Sequence, residues 1–383
     1  MRHANRHSQG SVRRQPNDFH KIRYAVVGLG HIAQNAILPA FQHAQTNSVL
    51  TALVSDDASK LRVLSRQYGV KNCFNYEEYD SCLASGGIDA VYIALPNNMH
   101  EEYCVRAARR GVHVLCEKPL APTSAACRNI ISVCGQHGVK LMTAYRLHFE
   151  RGNLEAVEVV HTGKVGEPRI FNSVFTQQVK LGNIRTQARY GSSALSDIGV
   201  YCINAARYLF RAEPTEGFCF AASRDDARFR EVDEMMAVIL RFPGERLASF
   251  TASFGAADTA DYQIIGTKGK LRAVQAYDYS MPMTLELTCD GRTERKTYGL
   301  RDQFAPELLH FSDCILTDRE PEPSGYEGLR DVSIIELLLK SAGKGIRVKF
   351  EAAQREHYPD LKQEIHRPRI RKPRLVHAVA PTS

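Results

Sequence analysis

Apolar residues come in short continuous runs along the first third of the chain, and stretches of helical periodicity follow most of these runs. Strands that are apolar throughout are typical of a parallel sheet with both faces covered by helices. The alternation of strands and helices therefore predicts a doubly wound α/β domain over residues 21–145. Strands are predicted at 22–28, 49–55, 88–95, 113–116 and 140–145, and helices at 59–68, 100–111, 124–137 and from the glycine-rich turn to about residue 45.

Beyond residue 150 the alternation stops, and strand candidates follow one another with short turns between them. This pattern predicts an α+β domain over residues 146–350, in which helices cover one face of a largely antiparallel open sheet. The predicted helices are 153–162, 196–210, 304–316 and 328–344, and the predicted strands are 169–176, 217–222, 235–242, 247–254, 262–266, 270–273 and 284–288.

Both ends of the chain differ from the body in composition. Residues 1–20 are polar and lack periodicity, which predicts a disordered basic arm, and residues 351–383 are predicted to form an extended basic tail outside either core. Of the formal net charge of +8, residues 1–24 carry +5 and residues 354–383 carry +4, so the body between them is close to neutral. A nucleic-acid reader would place basic charge on its folded part, so solvated ends are favoured, with weak binding to an anionic surface left open.

The ten cysteines are scattered and include no Cys-x-x-Cys pair, and no His or Cys group has metal-ligand spacing. We therefore predict a reduced, cytoplasmic protein without a metal site. No apolar run reaches the roughly 18 residues that a membrane helix requires, so no membrane partner is expected.

A glycine-rich motif, Gly28-Leu29-Gly30-His31-Ile32-Ala33, lies between the first predicted strand and the first predicted helix. In this context Gly28 permits a tight turn, and Gly30 lets the backbone approach a pyrophosphate. The amides of His31 and Ile32 begin the helix, whose N-terminus attracts phosphate. The motif predicts a Rossmann-type dinucleotide site.

The end of the second strand carries information about which dinucleotide is bound. A carboxylate at this place would bind the ribose hydroxyls of NAD, but Ser55 occupies it. Ser55 with Lys60 favours a 2′-phosphate, whereas Asp56 and Asp57 argue for NAD. We expect NADP(H) to be preferred, with NAD(H) possible.

Two further motifs make a family resemblance recognisable. Residues 92–100 read YIALPNNMH, and residues 116–120 read CEKPL. A strand that ends in Pro-Asn-x-x-His, followed by a strand that ends in Glu-Lys-Pro, resembles the Gfo/Idh/MocA oxidoreductases over about residues 21–348. Residues 145–150 and 197–210 look most similar to the glucose–fructose oxidoreductase branch, in which a tyrosine replaces the histidine common elsewhere.

The resemblance implies hydride transfer between a nicotinamide and a sugar, a sugar derivative or a cyclitol. It implies that Lys118 lies near the reacting oxygen, that Tyr201 exchanges the proton, and that Asp197 is the carboxylate partner. It also implies a homodimer or homotetramer that pairs through the outer sheet face of the second domain. The further cofactor-binding candidates are Leu95, Pro96, Asn97, His100, Glu117 and Arg146.

The residues support this chemistry only partly by themselves. Asp197, Tyr201 and Asn204 are spaced to share one helix face, although Asp197 as an N-cap and Tyr201 as a packing residue would fit the same spacing. A lysine cation beside a tyrosine stabilises the phenolate and helps proton transfer. If the strand before them continues, Arg146 and His148 share a face and either bind substrate hydroxyls or form a structural pair.

Two questions have alternative answers at this point. His100 either lines the cofactor cleft or caps the helix that begins there. A dinucleotide-binding regulator or scaffold could use the same fold, because a fold does not determine a function. A regulator has no need to keep Lys118, Asp197 and Tyr201 together, and their joint presence favours an enzyme.

Overall fold

The computed structural model describes residues 21–352 and 357–382. The predicted arm at residues 1–20 lies outside the described residues, as do 353–356 and Ser383. Within residues 21–352 the chain forms one six-stranded and one nine-stranded sheet. These two sheets confirm the predicted combination of a Rossmann-type sheet with a largely antiparallel one.

The first sheet is parallel throughout and has the strand order β3-β2-β1-β4-β5-β6. Every residue of β4 and β6 is buried, which explains why their sequences are apolar apart from Thr143. The short strand β3 was not predicted, because its Asn-Cys-Phe sequence is too brief to show a period. The strands are β1 (Ile22–Val27), β2 (Ser48–Val54), β3 (Asn72–Phe74), β4 (Ala90–Ile93), β5 (His113–Glu117) and β6 (Leu141–Ala144).

Helices connect these parallel strands. The first one is helical from residue 31 to 40, with a π-turn at Ala33–Ile37, and ends earlier than predicted because turns occupy residues 41–47. The short α3 was also not predicted. The helices are α1 (Leu38–Ala40), α2 (Ala58–Tyr68), α3 (Tyr79–Ala84), α4 (His100–Arg109) and α5 (Ser124–Gln136).

The second sheet has the order β14-β13-β12-β11-β7-β10-β9-β8-β15 and is antiparallel except where β10 pairs with β7. Sequence patterning missed β14, whose residues are polar and exposed up to its final tyrosine, and the two-residue β15. The strands are β7 (Pro168–Thr176), β8 (Glu216–Ala222), β9 (Met235–Phe242), β10 (Arg246–Ser253), β11 (Thr259–Gly266), β12 (Gly269–Val274), β13 (Met283–Cys289), β14 (Arg292–Tyr298) and β15 (Val348–Lys349).

The remaining helices pack against one or both of the sheets. They are α6 (Arg151–His161), α7 (Val200–Phe210), α8 (Ala305–Leu316) and α9 (Gly325–Lys344). α8 packs on the first sheet, where Ser312 Oγ lies 2.8 Å from Tyr24 Oη. α9 contributes Val332 to the core beside the first sheet and Leu338 to the core beside the second. The cleft between the sheets is thereby held at one end by a single helix.

The C-terminal strap, defined here as residues 365–382, corrects the prediction that the basic tail lies apart from both cores. It is extended, but Ile365, Ile370 and Val376 pack against the core beside the first sheet. Their spacing follows no helix or strand period, so no pattern revealed that they are partly buried. Among the helices of the described residues, none is long and apolar enough to cross a membrane.

Candidate active site

A cavity of about 660 Å³ opens at the carboxyl ends of β1, β2, β4, β5 and β6 and extends to the second sheet. Ligands of open α/β sheets bind at this edge, and the volume is typical of a small-molecule site. The cavity brings together nearly all of the residues that the sequence singled out. These are Gly28, Gly30, His31, Ile32, Ser55, Lys60, Leu95, Pro96, Asn97, Glu117, Lys118, Arg146, Asp197 and Tyr201.

The two glycines of the motif are required for different structural reasons. Gly28 has a φ of +92°, and a Cβ there would lie 2.5 Å from the carbonyl oxygen of Ala94, so the turn itself requires glycine. Gly30 lines the cavity, and a Cβ there would meet no heavy atom within 4 Å. The open space beside Gly30 is where a pyrophosphate would approach the helix that begins at His31, so these residues fit a dinucleotide.

Positive charge surrounds this turn. Burial lowers the pKa of His31, and the nearby cations Arg185 and Lys372 lower it further. Neither cation was identified from the sequence. They come from the loop after β7 and from the C-terminal strap, and only the tertiary structure brings Arg185 to the cavity wall and Lys372 close to His31.

The end of β2 is organised around one carboxylate. Asp57 Oδ1 caps α2 by accepting hydrogen bonds from the backbone amides of Ser59 and Lys60, at 2.9 and 3.0 Å. Asp57 Oδ2 lies 2.9 Å from Nδ1 of His377 in the strap. Both oxygens of the Asp57 carboxylate are therefore engaged. The predicted cofactor residues that line the cavity here are Ser55 and Lys60.

Lys118 reaches from the end of β5 across the cleft. Its Nζ donates a 2.7 Å hydrogen bond to the main-chain carbonyl oxygen of Asp197. The same Nζ lies 5.0 Å from the centre of the Tyr201 ring, within the range of a cation–π contact. Lys118 therefore joins the first sheet to the start of α7.

Tyr201 is close to two cations. In addition to Lys118, the guanidinium of Arg146 lies 5.2 Å from the centre of the Tyr201 ring. Arg146 is held by hydrogen bonds that it donates to the side chain of Gln303 and the carbonyl oxygen of Tyr277. Two positive charges therefore lie close to the Tyr201 ring.

The Asp197 carboxylate is oriented by its own contacts. Asn97 Nδ2 donates to Oδ1 at 3.0 Å, and Arg185 Nε lies 3.6 Å from Oδ2. The carboxylate thus faces the cavity from the start of α7, while the lysine is held by the carbonyl oxygen of the same residue.

Glu117, next to Lys118, belongs to a buried acidic pair. The Tyr92 hydroxyl donates a 3.0 Å hydrogen bond to Glu117 Oε1 and lies 3.4 Å from Glu307 Oε2. Burial raises the pKa of Glu117 and raises that of Glu307 well above its usual range, and the neighbouring carboxylate adds to the effect on Glu307. The raised pKa of Glu307 favours its protonated form.

Two of the candidate histidines are placed away from the cavity. His100 is fully buried, and its ring nitrogens lie 2.9 Å from the carbonyl oxygens of Leu95 and Pro119. It therefore connects two cavity-lining turns, instead of lining the cleft or capping the helix with its side chain. Burial lowers its pKa, which favours the neutral ring.

His148 is also buried, with Nε2 2.9 Å from Asn204 Oδ1. The expected shared face of Arg146 and His148 is wrong, because β6 ends at Ala144 and a 3₁₀ turn follows at Arg146–His148. Asn204 likewise turns away from the cavity and donates to Glu327 and Asp331. Only Asp197 and Tyr201 of the predicted helix face reach the site, and Asn204, about one turn further along α7, does not.

Comparisons with known proteins agree with this geometry. Residues 22–145 match the family model described as "Oxidoreductase family, NAD-binding Rossmann fold", and residues 153–272 match the "GFO/IDH/MocA C-terminal domain". The chain belongs to the Gfo/Idh/MocA oxidoreductase family. The predictions of this family and of a nicotinamide-dependent oxidoreductase are confirmed.

Similar proteins include D-xylose 1-dehydrogenase (NADP(+)) from Haloarcula marismortui, which is 32% identical over 86% of this chain and 93% of its own length. The structure of aldose-aldose oxidoreductase from Caulobacter crescentus, complexed with glycerol, has a TM-score of 0.82 and 34% identity, and covers 86% of this chain and all of its own. A 3-ketoreductase from Actinomadura kijaniata, in complex with NADP and TDP-benzene, has a TM-score of 0.76 and 27% identity, and covers 84% and 98%.

Proposed function

We propose that the protein transfers a hydride between NADP(H) and a hydroxyl- or carbonyl-bearing carbon of a sugar or sugar derivative, with Lys118, Asp197 and Tyr201 as its catalytic residues. The observation that carries this proposal is the 2.7 Å bond from Lys118 to Asp197, one turn before Tyr201, in the same cavity as the glycine-rich turn. If residues 21–145 and 146–350 are two domains, as we propose, the site lies in the cleft between them.

A bound nicotinamide supplies or accepts the hydride, and the protein must place the substrate and move the matching proton. When an alcohol is oxidised, Tyr201 accepts the hydroxyl proton, and when a carbonyl is reduced, Tyr201 returns it. Lys118 and Arg146 stabilise the phenolate that accepts the proton in the first case and is formed in the second. Lys118 also orients the reacting oxygen, and the Asp197 carboxylate accepts a hydrogen bond from a neighbouring substrate hydroxyl.

The substrate class rests on the cavity and on the relatives. The cavity wall offers carboxylate, amide, guanidinium and ammonium groups to a ligand rich in hydroxyls. The named relatives act on D-xylose, on aldoses and on a dTDP-linked keto sugar. The test is mass spectrometry of the purified protein for a retained dinucleotide, followed by a panel of aldoses and keto sugars monitored by nicotinamide absorbance. Absence of turnover with every sugar class would contradict the proposal.

Lys60→Ala is expected to weaken NADPH binding by about tenfold or more and to leave NADH binding almost unchanged. The reason is that a charged hydrogen bond to a 2′-phosphate contributes a free energy of this order, whereas NADH has no such phosphate. Fluorescence titration with both cofactors measures the two dissociation constants. Lys71→Ala removes an exposed lysine outside the cavity lining and is the matched control. Equal losses for NADPH and NADH would count against Lys60 as the phosphate ligand.

We further propose that a second copy of the chain covers the outer face of the nine-stranded sheet. Phe220 and Ile239 on this face are 67% and 54% exposed, and Val174 and Leu247 are also exposed. Neighbouring apolar side chains of this kind mark an interaction surface more often than a solvated one. A homodimer buries the same patch of both copies, and a homotetramer repeats that contact.

Ile239→Lys is therefore expected to shift the protein to monomers, because it places a charge at the centre of this apolar face. Light scattering coupled to gel filtration measures the mass. The control is Ile346→Lys, which changes another exposed isoleucine, just after α9. A dimer that survives Ile239→Lys, or a wild-type monomer, would show that this face is not the interface.

A further inference from the structure

The C-terminal strap is anchored to the first sheet beside the glycine-rich turn. Gln34 Nε2 donates to the carbonyl oxygen of Val376 at 2.9 Å, and Gln34 Oε1 accepts from the Val376 amide at 2.7 Å. Gln34 is 1% exposed, and it lies four residues after Gly30, whose carbonyl oxygen accepts a hydrogen bond from the Gln34 amide. Departure of the strap would leave polar atoms of a buried amide without these partners, which is costly. The strap is thus a built part of this wall.

The far end of the strap is anchored beside the second sheet. The Lys180 amide donates to the carbonyl oxygen of Pro381 at 3.0 Å, and Thr382 forms an antiparallel bridge with Val179. Between the two anchors, residues 377–381 line the cavity. The strap therefore crosses the cofactor end of the site from one side to the other.

Between these anchors, His377 contacts Asp57, a carboxylate two residues beyond Ser55 at the end of β2. Hydrogen bonds from the Lys60 amide and from His377 lower the pKa of Asp57 and keep it ionised. An ionised carboxylate after β2 accepts ribose hydroxyls and repels a 2′-phosphate. With Oδ1 bonded to α2 and Oδ2 to His377, both carboxylate oxygens are engaged.

The strap lies outside both family-model matches, which cover residues 22–145 and 153–272. A contribution to the cofactor site from residues 365–382 is therefore a property of this chain beyond those two regions. It also explains how Asp57 can lie beside Ser55 and Lys60 without turning the pocket into one for NAD.

We propose that the C-terminal strap completes the dinucleotide site and that His377, by pairing with Asp57, sets the preference for the 2′-phosphorylated cofactor. This inference rests on the proposed dinucleotide-dependent function. When its ring carries both protons, His377 can donate through Nδ1 to Asp57 and through Nε2 to a phosphate oxygen that Ser55 and Lys60 also contact. The strap then closes over the adenosine end and slows the release of the dinucleotide.

The first test is His377→Ala, with NADPH and NADH titrated separately into the full-length protein. The expected result is a loss of about tenfold or more in NADPH affinity with NADH affinity unchanged or improved, since Asp57 Oδ2 becomes free for ribose hydroxyls. His366→Ala is the matched control, because His366 is an exposed histidine of the same strap outside the cavity lining. A cofactor ratio equal to that of His366→Ala would overturn the role of His377.

The second test removes residues 371–383, which keeps the apolar contacts of Ile365 and Ile370 but deletes both anchors of the cavity segment. We expect faster release of NADPH in stopped-flow displacement, while thermal unfolding without cofactor still shows a cooperative transition. Release at the full-length rate would overturn the closing role of the strap. Failure of the full-length chain to bind either dinucleotide would instead overturn the proposed function, which distinguishes the two failures.

Discussion

Tyr201→Phe is expected to lower kcat by about 10²–10⁴-fold while the dissociation constant for the dinucleotide stays unchanged. The substitution removes one hydroxyl and keeps the ring, which packs against Phe175 and Tyr277 at centroid distances of 5.6 and 6.0 Å. The proton relay is lost, but the cavity wall and the fold remain. Steady-state kinetics with a substrate found in the sugar panel, together with cofactor titration, measures both effects.

Lys118→Ala is expected to be at least as damaging. It removes a positive charge beside Tyr201 and also the hydrogen bond to the carbonyl oxygen of Asp197. Lys118→Arg keeps the positive charge but replaces the compact ammonium by a planar guanidinium, so it should retain more activity than Lys118→Ala and less than the wild type. Tyr326→Phe, on an exposed tyrosine of α9, is the control for the loss of a phenolic hydroxyl.

Wild-type turnover by Tyr201→Phe would remove tyrosine from the proton relay. His148, the substitute that chain position suggests, is buried against Asn204 and has no access to the cavity. Lys118 would then be the next group to test, since its Nζ is a titratable group at the same place.

Gly30→Val is expected to weaken binding of both dinucleotides by more than about 100-fold, with little change in the stability of the protein without cofactor. A Cβ at Gly30 meets nothing within 4 Å, so the valine has room in the empty cavity and fills the space that the pyrophosphate needs. Overpacking a fitted site costs about 1–3 kcal/mol, which corresponds to a loss of up to about 100-fold, and lost amide contacts add to it. Fluorescence titration and thermal unfolding measure the two quantities.

Gly135→Val provides the matched control for this experiment. Gly135 also has open space around its Cβ position, but it lies on α5 away from the cavity lining. Gly28→Ala should behave differently from both, because its φ of +92° and the 2.5 Å approach to Ala94 make it destabilise the fold itself. Dinucleotide binding by Gly30→Val at wild-type affinity would contradict the assignment of the turn.

The candidate site was predictable to the extent that it lies at strand ends. Gly28, Ser55, Leu95 and Lys118 each follow a strand of one parallel sheet, and the carboxyl ends of such strands meet at one edge. Once the alternating elements were recognised, the pooling of these residues in one cavity followed from topology. The motif resemblance added Asp197 and Tyr201, which come from the far side of the cleft.

The histidines show where local pattern was insufficient. Chain position placed His100 and His148 beside cavity-lining residues, but the direction of a side chain depends on the turn that carries it. His100 points into the contact between the turns at Leu95 and Pro119, and His148 points into α7. Neither direction has a signature in the sequence.

By itself, the sequence determined the two-sheet architecture, the glycine-rich turn and the family, because hydrophobic period and short motifs are local properties of the chain. The tertiary structure alone decided that the strap crosses the cofactor cavity, that Arg185 and His377 line it, and that Lys372 lies near His31. Val376 and Gln34 are bonded although they are 342 positions apart. Their contact depends on where the chain returns in space, and a composition of prolines and basic residues without periodicity carries no information about that return.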